Sequence, residues 1–276
     1  MLEKVTERIY YLLNDDMNER PALGLVKGDK SCLVIDAGNS IKHAEVFLNE
    51  VKDMDLPPID YVVATHHHWD HIFGLSRFDA IKIASNKTYE LAKMYWGIKT
   101  DNDSLEDARR KKIFNELGVK IVKDDLQNAD TLEEVKFDLL FEGELEINLG
   151  GITCLVKEII NPHRDDGTIV YVPQEKILFL GDSVYGSTKE GKSYFNRKKL
   201  ESMMKEVKSY DANYYLCSHE LIFDKEEMAW YFDKLNMGLE ITKGLNDKQD
   251  ILARFKEVYN VEPSQDDLFF LSSIYE

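Results

Sequence analysis

The feature that most constrains this chain is a cluster of histidines that directly follows a short apolar segment. Four of the seven histidines in the 276 residues lie at positions 66–71, in the run Thr65-His66-His67-His68-Trp69-Asp70-His71. The apolar residues 61–64 predict a buried strand, so the cluster lies on a loop at the carboxyl end of that strand. Imidazole and carboxylate groups are ligands of zinc and related metals. Burying so many of them without partners would be costly, so the run predicts a metal site.

The spacing within this loop allows two groups of ligands. In a tight turn, His66 and His68 can point toward one ion, while Asp70 and His71 point toward a second. His67 stands between the ligands, and we expect it to face away from them.

Strand and helix signals occur in two halves, separated by a charged helical segment. In the first half, the pattern predicts strands at 9–13, Leu23–Lys27, Cys32–Ile35 and 61–64, and a helix at 41–54 after the N-cap Ser40. In the second half, it predicts strands at 136–141, Glu144–Asn148, 152–159, Thr168–Val172, 177–180 and Tyr214–Cys217, and a helix at Arg197–Val207. Residues 86–134 are predicted as a helical insertion, and residues 224–276 as a helical extension. Two mixed sheets packed face to face with helices outside satisfy this order, which indicates an α/β fold in a single domain spanning 1–276.

Charge and cysteine usage restrict the class of partner. The formal net charge is −16, which argues against binding to nucleic acid or to an anionic membrane surface. No run approaches the roughly 18 apolar residues of a membrane span, and the first residues are not typical of a signal peptide. The three cysteines are far apart and are expected to be reduced thiols, which favours a cytoplasmic location.

The motif His66-x-His68-x-Asp70-His71 after a buried strand resembles the signature of the metallo-β-lactamase superfamily of metal-dependent hydrolases. The resemblance implies an αββα sandwich, in agreement with the element order. It also implies three ligands further along the chain, and each has a candidate in the family's order. These candidates are His163 in Asn161-Pro162-His163, Asp182 in Phe179-Leu180-Gly181-Asp182-Ser183, and His219 in Cys217-Ser218-His219-Glu220.

The ligand set implied by the resemblance divides between two divalent ions. One ion would be held by His66, His68 and His163, the other by Asp70, His71 and His219, and Asp182 would bridge both. Two such ions lower the pKa of a shared water and present a bridging hydroxide as the nucleophile, which Asp70 and Asp182 can orient. Histidine-rich ligation favours zinc, although iron and manganese also occupy mixed sites of imidazole and carboxylate.

Local details favour cleavage of an ester, thioester or lactone bond in a small molecule. The metal loop resembles that of glyoxalase II thioesterases, whereas Tyr185 resembles the tyrosine that contacts the substrate carbonyl in acyl-homoserine lactonases. Two alternatives stay open: a metal-binding or sensing protein without turnover, and redox chemistry at a di-iron centre. Of the possible oligomeric states, a homodimer is the one that we expect.

Some further residues carry specific expectations. His43 is expected at the surface of the first helix, and Cys217 is expected to be a buried thiol. Asp165 or Asp166 either accepts a hydrogen bond from the ring of His163 or serves a turn. The segments 14–21 and 86–134 are expected to border the site as loop and lid.

Overall fold

Two large β-sheets pack face to face in the computed structural model, which describes residues 1–125, 130–189, 192–220 and 222–275. Residues 126–129 of the predicted insertion and residue 276 of the predicted extension lie outside the described residues.

The first sheet takes its strands in chain order. They are β1 (Leu2–Lys4), β2 (Ile9–Leu12), β3 (Leu23–Lys27), β4 (Cys32–Ile35), β5 (Ile59–Val63), β6 (Ile81–Ser85) and β7 (Leu139–Phe141). Neighbours from β1 to β4 are antiparallel, and neighbours from β4 to β7 are parallel. The carboxyl ends of β4, β5 and β6 therefore meet at one edge of the sheet, and the histidine-rich loop leaves from the end of β5.

The second sheet has the order β15-β14-β11-β10-β9-β8. Its strands are β8 (Glu144–Asn148), β9 (Thr153–Glu158), β10 (Thr168–Val172), β11 (Ile177–Gly181), β14 (Tyr214–Cys217) and β15 (Phe223–Asp224). The only parallel pair of this sheet within the described residues is β11 with β14. A small third sheet joins β12 (Ser187–Lys189), β13 (Lys192–Asn196) and β16 (Ile274–Tyr275).

Side-chain alternation along the strands divides the core into three layers. In β4, Leu33 belongs to the apolar cluster between the two sheets, whereas Val34 belongs to the cluster on the outer face of the first sheet. In β11, Phe179 faces the first sheet, whereas Leu178 faces the helices on the other side. Both strands are thus buried on both faces, as the continuous apolar runs in the sequence indicate. The predicted αββα arrangement of two mixed sheets between helices is confirmed.

Helices cover both outer faces. On the first sheet they are α1 (Ile41–Val51), α2 (Trp69–Ile72), α3 (Asn86–Ala92), α4 (Asn102–Arg110) and α5 (Glu116–Asp125), and on the second sheet α6 (Arg197–Val207), α7 (Lys225–Thr242), α8 (Lys248–Tyr259) and α9 (Gln265–Ser273). Ser40 caps α1 as predicted, because its hydroxyl accepts from the backbone N–H of His43 at 3.1 Å. Among the described helices, none combines the length and the apolar character needed to cross a membrane.

The differences from the predicted elements concern short or polar segments. Helix α1 ends at Val51 rather than near position 54. Strands β1, β6, β12, β13, β15 and β16 have no counterpart in the sequence analysis. In β6 only Ile83, Ala84 and Ser85 are buried, so the strand lacks a clear apolar pattern and depends on pairing with β5 and β7.

Candidate metal centre

The histidine-rich loop connects β5 to α2 and brings its side chains against the end of β11. His66, Asp70 and His71 are buried, and His68 is half-buried. Gly181 allows the close approach of β11, because an added Cβ there would lie 2.8 Å from the Cβ of Thr65. Its φ of +53° also lies in the left-handed region, which favours glycine. The next residue, Asp182, therefore projects directly at the loop.

The predicted ligands gather into two adjacent groups. The first contains His66, His68, His163 and Asp182, and the second contains Asp70, His71 and His219. Within each group, one nitrogen or oxygen atom from every residue lies within 4.8 Å of the others.

Asp182 lies between the two groups. Its Oδ2 is 3.3 Å from His163 Nε2 and 3.7 Å from His219 Nε2, and its Oδ1 is 3.6 Å from His71 Nε2. In the second group, Asp70 Oδ2 is 3.3 Å from the Nε2 atoms of both His71 and His219. A single carboxylate thus faces imidazoles of both groups, which is the arrangement that a bridging ligand requires.

Hydrogen bonds orient the imidazole rings. His163 Nδ1 donates to the carbonyl oxygen of Gly186 at 3.2 Å, and His71 Nδ1 donates to Asp36 Oδ2 at 2.8 Å. A ring that donates through Nδ1 presents the lone pair of Nε2 on its other side. Hydrogen bonds of this kind fix the tautomer of metal-binding histidines. Both Nε2 atoms point into the centre.

Asp36 is a supporting residue that the sequence analysis missed. It is buried at the end of β4, and its carboxylate accepts from the backbone N–H and the hydroxyl of Thr65 at 2.8 and 2.9 Å, besides the ring of His71. The Thr65 oxygen in turn lies 3.2 Å from His66 Nδ1, in position to accept from it. Asp36 therefore orients one ring of each group. The signal for it is an acidic residue directly after the strand that neighbours β5.

Three buried ligand atoms test whether the centre suits a metal. His66 Nε2, His71 Nε2 and Asp182 Oδ1 find no hydrogen-bond partner among the described residues. Buried polar atoms without partners are costly, and bound cations satisfy them. Three such atoms converge here from three different residues, so the donor set fits divalent ions.

The electrostatics of the centre agree with this fit. Burial and the neighbouring imidazoles hold the pKa of His66 well below its usual range, which keeps the ring in the neutral form that binds metals. Burial alone would raise the pKa of Asp182, but the surrounding His219, His71 and His163 outweigh it and lower the pKa. Burial alone would lower the pKa of His219, but Asp182 and Asp70 raise it to about 9. The two carboxylates, Asp70 and Asp182, thus stay ionised, and a cation that binds His219 has to displace the proton that they favour on this ring.

Tyr185 lies beside the second group. Its hydroxyl oxygen accepts from the backbone N–H of His219 at 3.2 Å, and the buried thiol of Cys217 lies within hydrogen-bonding reach of the same hydroxyl. Burial raises the pKa of Tyr185 well above its usual range, so the phenol stays protonated at neutral pH. Cys217 is buried as predicted.

The two remaining histidines, His43 and His67, lie outside both ligand groups. His43 is buried rather than at the surface; its Nδ1 accepts from the backbone N–H of Asn39 at 3.3 Å, and burial lowers its pKa to about 3. His67 points away from the ligand groups, and its ring Nδ1 donates to Asp166 at 3.0 Å. Asp166 is therefore the partner of His67 and not of His163, and the exposed Asp165 pairs with Lys199.

The centre opens into a cavity of about 670 Å³. Asp16 and Glu19 line it from the segment 14–21, and Tyr95, Lys112 and Asn115 line it from the insertion. Both segments therefore border the site, as expected. A cavity of this size suits a small-molecule substrate.

Comparison with known proteins decides the family. A family model described as the metallo-beta-lactamase superfamily matches residues 22–219. The chain belongs to the metallo-beta-lactamase superfamily. Members of this superfamily are mostly hydrolases and typically bind two divalent metals. The matched region contains all seven candidate ligands. In the comparison with curated proteins, no sequence matches this chain.

Solved structures share the fold at low sequence identity. A metallo-beta-lactamase from Pontibacter korlensis is 18% identical with a TM-score of 0.55, over 83% of this chain and 95% of its own. The metallo-beta-lactamase TMB-1 is 15% identical with a TM-score of 0.54, over 84% and 94%. The stereoselective inverting sec-alkylsulfatase Pisa1 from Pseudomonas sp. is 14% identical with a TM-score of 0.63, over 98% of this chain but 46% of its own. These likenesses show the fold alone.

Proposed function

We propose that this chain is a dinuclear metal-dependent hydrolase that cleaves an ester, thioester or lactone bond in a small molecule. The observation that carries the proposal is the position of Asp182 between two groups of imidazole ligands, together with unpartnered buried atoms in both groups. The superfamily supports hydrolysis as the type of reaction.

In this proposal the seven ligands divide between two ions. His66, His68 and His163 would hold the first, Asp70, His71 and His219 would hold the second, and Asp182, which faces both groups, would complete the set. Zinc is the proposed metal because imidazole dominates both groups, and iron and manganese are its competitors.

Two divalent ions in this centre would supply a water of lowered pKa and a Lewis acid for the substrate carbonyl. The remaining work falls to side chains. Asp70 and Asp182 accept hydrogen bonds from the attacking water and so orient it. The Tyr185 hydroxyl is held by the backbone N–H of His219, and it donates its hydrogen to the oxyanion that develops on the substrate.

Two features support an ester-type substrate. Position 182 is an aspartate rather than the cysteine common in β-lactamases of this superfamily, and Tyr185 offers a phenolic donor at the cavity wall. The comparisons add two competitors, because the structural neighbours include β-lactamases and an alkylsulfatase.

A panel of substrates tests the proposal. Zinc-loaded and manganese-loaded protein is assayed with a thioester, a homoserine lactone, an aryl ester, a phosphodiester, a β-lactam and a secondary alkyl sulfate, with H163A as the blank. We expect one of the first three to be turned over fastest and the blank to be inactive. Fastest turnover of the β-lactam, the sulfate or the phosphodiester would contradict the ester assignment. Two bound ions without any turnover would favour the metal-sensing or di-iron redox alternatives.

A further inference from the structure

Glu19 holds a carboxylate at the wall of the metal cavity in an unusual backbone conformation. Its φ is +48°, in the left-handed region, which residues other than glycine seldom adopt. The residue lies after a short 3-10 turn (Asp16–Asn18), and its half-buried side chain lines the cavity. Such strain persists only where the surroundings hold the residue in place, and it is concentrated at functional sites.

Two asparagines hold Glu19, one through its backbone and one through its side chain. The fully buried Asn39, between β4 and α1, donates through Nδ2 to the carbonyl oxygens of Asn18 and Glu19 at 2.8 and 3.1 Å. Asn115 of the insertion donates through its own Nδ2 to both carboxylate oxygens of Glu19, at 2.8 and 2.7 Å. The Asn115 Oδ1 also accepts from the backbone N–H of Gly118 at the start of α5. Three separate segments of the chain thus position one carboxylate.

The carboxylate lies in the field of the second ligand group. The charged groups of the centre that act on it are Asp70, His71 and His219, and burial raises its pKa. A carboxylate can accept about four hydrogen bonds, so one amide group leaves capacity for a further donor. The seven proposed ligands do not include Glu19, and that capacity therefore faces the substrate space of the cavity.

Charged side chains of both signs line the cavity. Arg164 lies against the first group, with its Nε 2.5 Å from His68 Nε2, and Lys112 lines the wall from the insertion, whereas Glu19 lies on the flank of the second group, which acts on its charge. The net charge of −16 also attracts cations to the protein as a whole. A substrate with a positive group would therefore be drawn to the protein and oriented by the flank that carries Glu19.

We propose that Glu19 is a specificity-determining residue that binds a protonated amine of the substrate, on the side of the second ligand group. The inference rests on the proposed function, because it takes the ligand groups to be occupied and the scissile bond to lie over them. The substrate class is accordingly an ester, thioester or lactone that carries an amine near the bond to be cleaved.

Short thiols provide a test that does not depend on turnover, because a thiolate binds zinc. Zinc-loaded protein is titrated calorimetrically with three probes: ω-aminoalkanethiols of two to four carbons, uncharged alkanethiols of equal length, and mercaptocarboxylates. The variant E19Q keeps an oxygen that can accept from Asn115 but removes the charge. N115S keeps a good N-cap for α5 but removes the donor to Glu19. The control E116Q makes the same chemical change at the exposed neighbour of Asn115.

We expect E19Q to bind the best aminothiol about fivefold more weakly than wild type does. Its affinity for the uncharged thiol should stay within twofold of wild type, and its affinity for the mercaptocarboxylate should rise. N115S should also weaken binding of the aminothiol, and E116Q should change the affinity for none of the probes. Equal changes for all three probes, or no change for any aminothiol, would overturn the role of Glu19 and leave the metal centre intact. A wild-type chain that takes up no zinc would overturn this inference together with the proposed function.

Discussion

Asp36 offers a sharp prediction because it supports both ligand groups without belonging to either. Replacing it by asparagine keeps the size of the side chain and tolerates the φ of +62° at this position, since asparagine adopts the left-handed region more readily than most residues. The amide cannot accept from the backbone and hydroxyl of Thr65 and from the ring of His71 all at once. Without an acceptor beside Nδ1, the His71 ring can carry its proton on Nε2 instead. A proton on Nε2 blocks metal binding.

The expected cost follows from these contacts. Loss of a carboxylate that orients a metal-binding histidine lowers metal affinity about 10- to 100-fold, which corresponds to about 1.4–2.8 kcal/mol. The ion held with His71 should be affected more than the other, because His66 is oriented only through Thr65. Competition with a chromophoric zinc chelator measures both affinities.

The control for Asp36→Asn is Asp60→Asn, which makes the same change at an exposed position in β5. A D36N protein that unfolds like wild type and binds both ions with wild-type affinity would refute the reasoning. Circular dichroism and a urea titration on the zinc-free protein separate loss of fold from loss of metal.

Three further predictions concern stability, pH and turnover. Gly181→Ala should destabilise the fold by about 3 kcal/mol in urea titrations, because the new Cβ meets Thr65. The control Gly143→Ala has a positive φ but open space around it, and it should cost about 1 kcal/mol. Equal costs would contradict the close approach of Gly181 to Thr65. The unfolded chain takes up a proton at His43 near pH 6.5, whereas the folded chain does so only near pH 3. Between about pH 5.5 and 4, this group therefore lowers the free energy of unfolding by about 1.4 kcal/mol per pH unit as the pH falls. His43→Gln should remove that part of the slope, and a variant with the wild-type slope would show that His43 is not the group involved. Tyr185→Phe should lower kcat at least tenfold with zinc affinity unchanged, and unchanged kcat would exclude the phenol as an oxyanion donor.

Much of the fold was predictable from local patterns. Strands such as Leu23–Lys27 and Thr168–Val172 agree with the prediction residue for residue, because continuous apolar runs between turn signals mark strands that are buried on both faces. The short strands β12, β13 and β16 carry no such run. Strand β16 pairs with β13, about 80 positions earlier in the chain, and no local pattern reveals such a partner.

In the candidate site, the ligands were predictable from the sequence and the residues around them were not. The seven ligand candidates stand in recognisable motifs, and the structure brings all of them together. Several buried or cavity-lining residues around them were missed, because their roles depend on contacts between distant segments. Asp36 reads as an ordinary turn residue, Glu19 as part of a polar loop, and His43 as one more polar residue on an amphipathic helix. Asp36 acquires its role where β4 meets the histidine-rich loop, and Glu19 acquires its role where the segment 14–21 meets the insertion.

The central claim is that seven side chains hold two divalent ions, and metal stoichiometry tests it most directly. Purified protein is saturated with zinc, freed of excess ion and analysed for metal per chain, beside H163A and the control H43Q, which changes a buried histidine outside both groups. We expect two zinc ions in wild type and in H43Q, and at most one in H163A. One ion or none in the wild-type chain, or two ions retained in H163A, would contradict it.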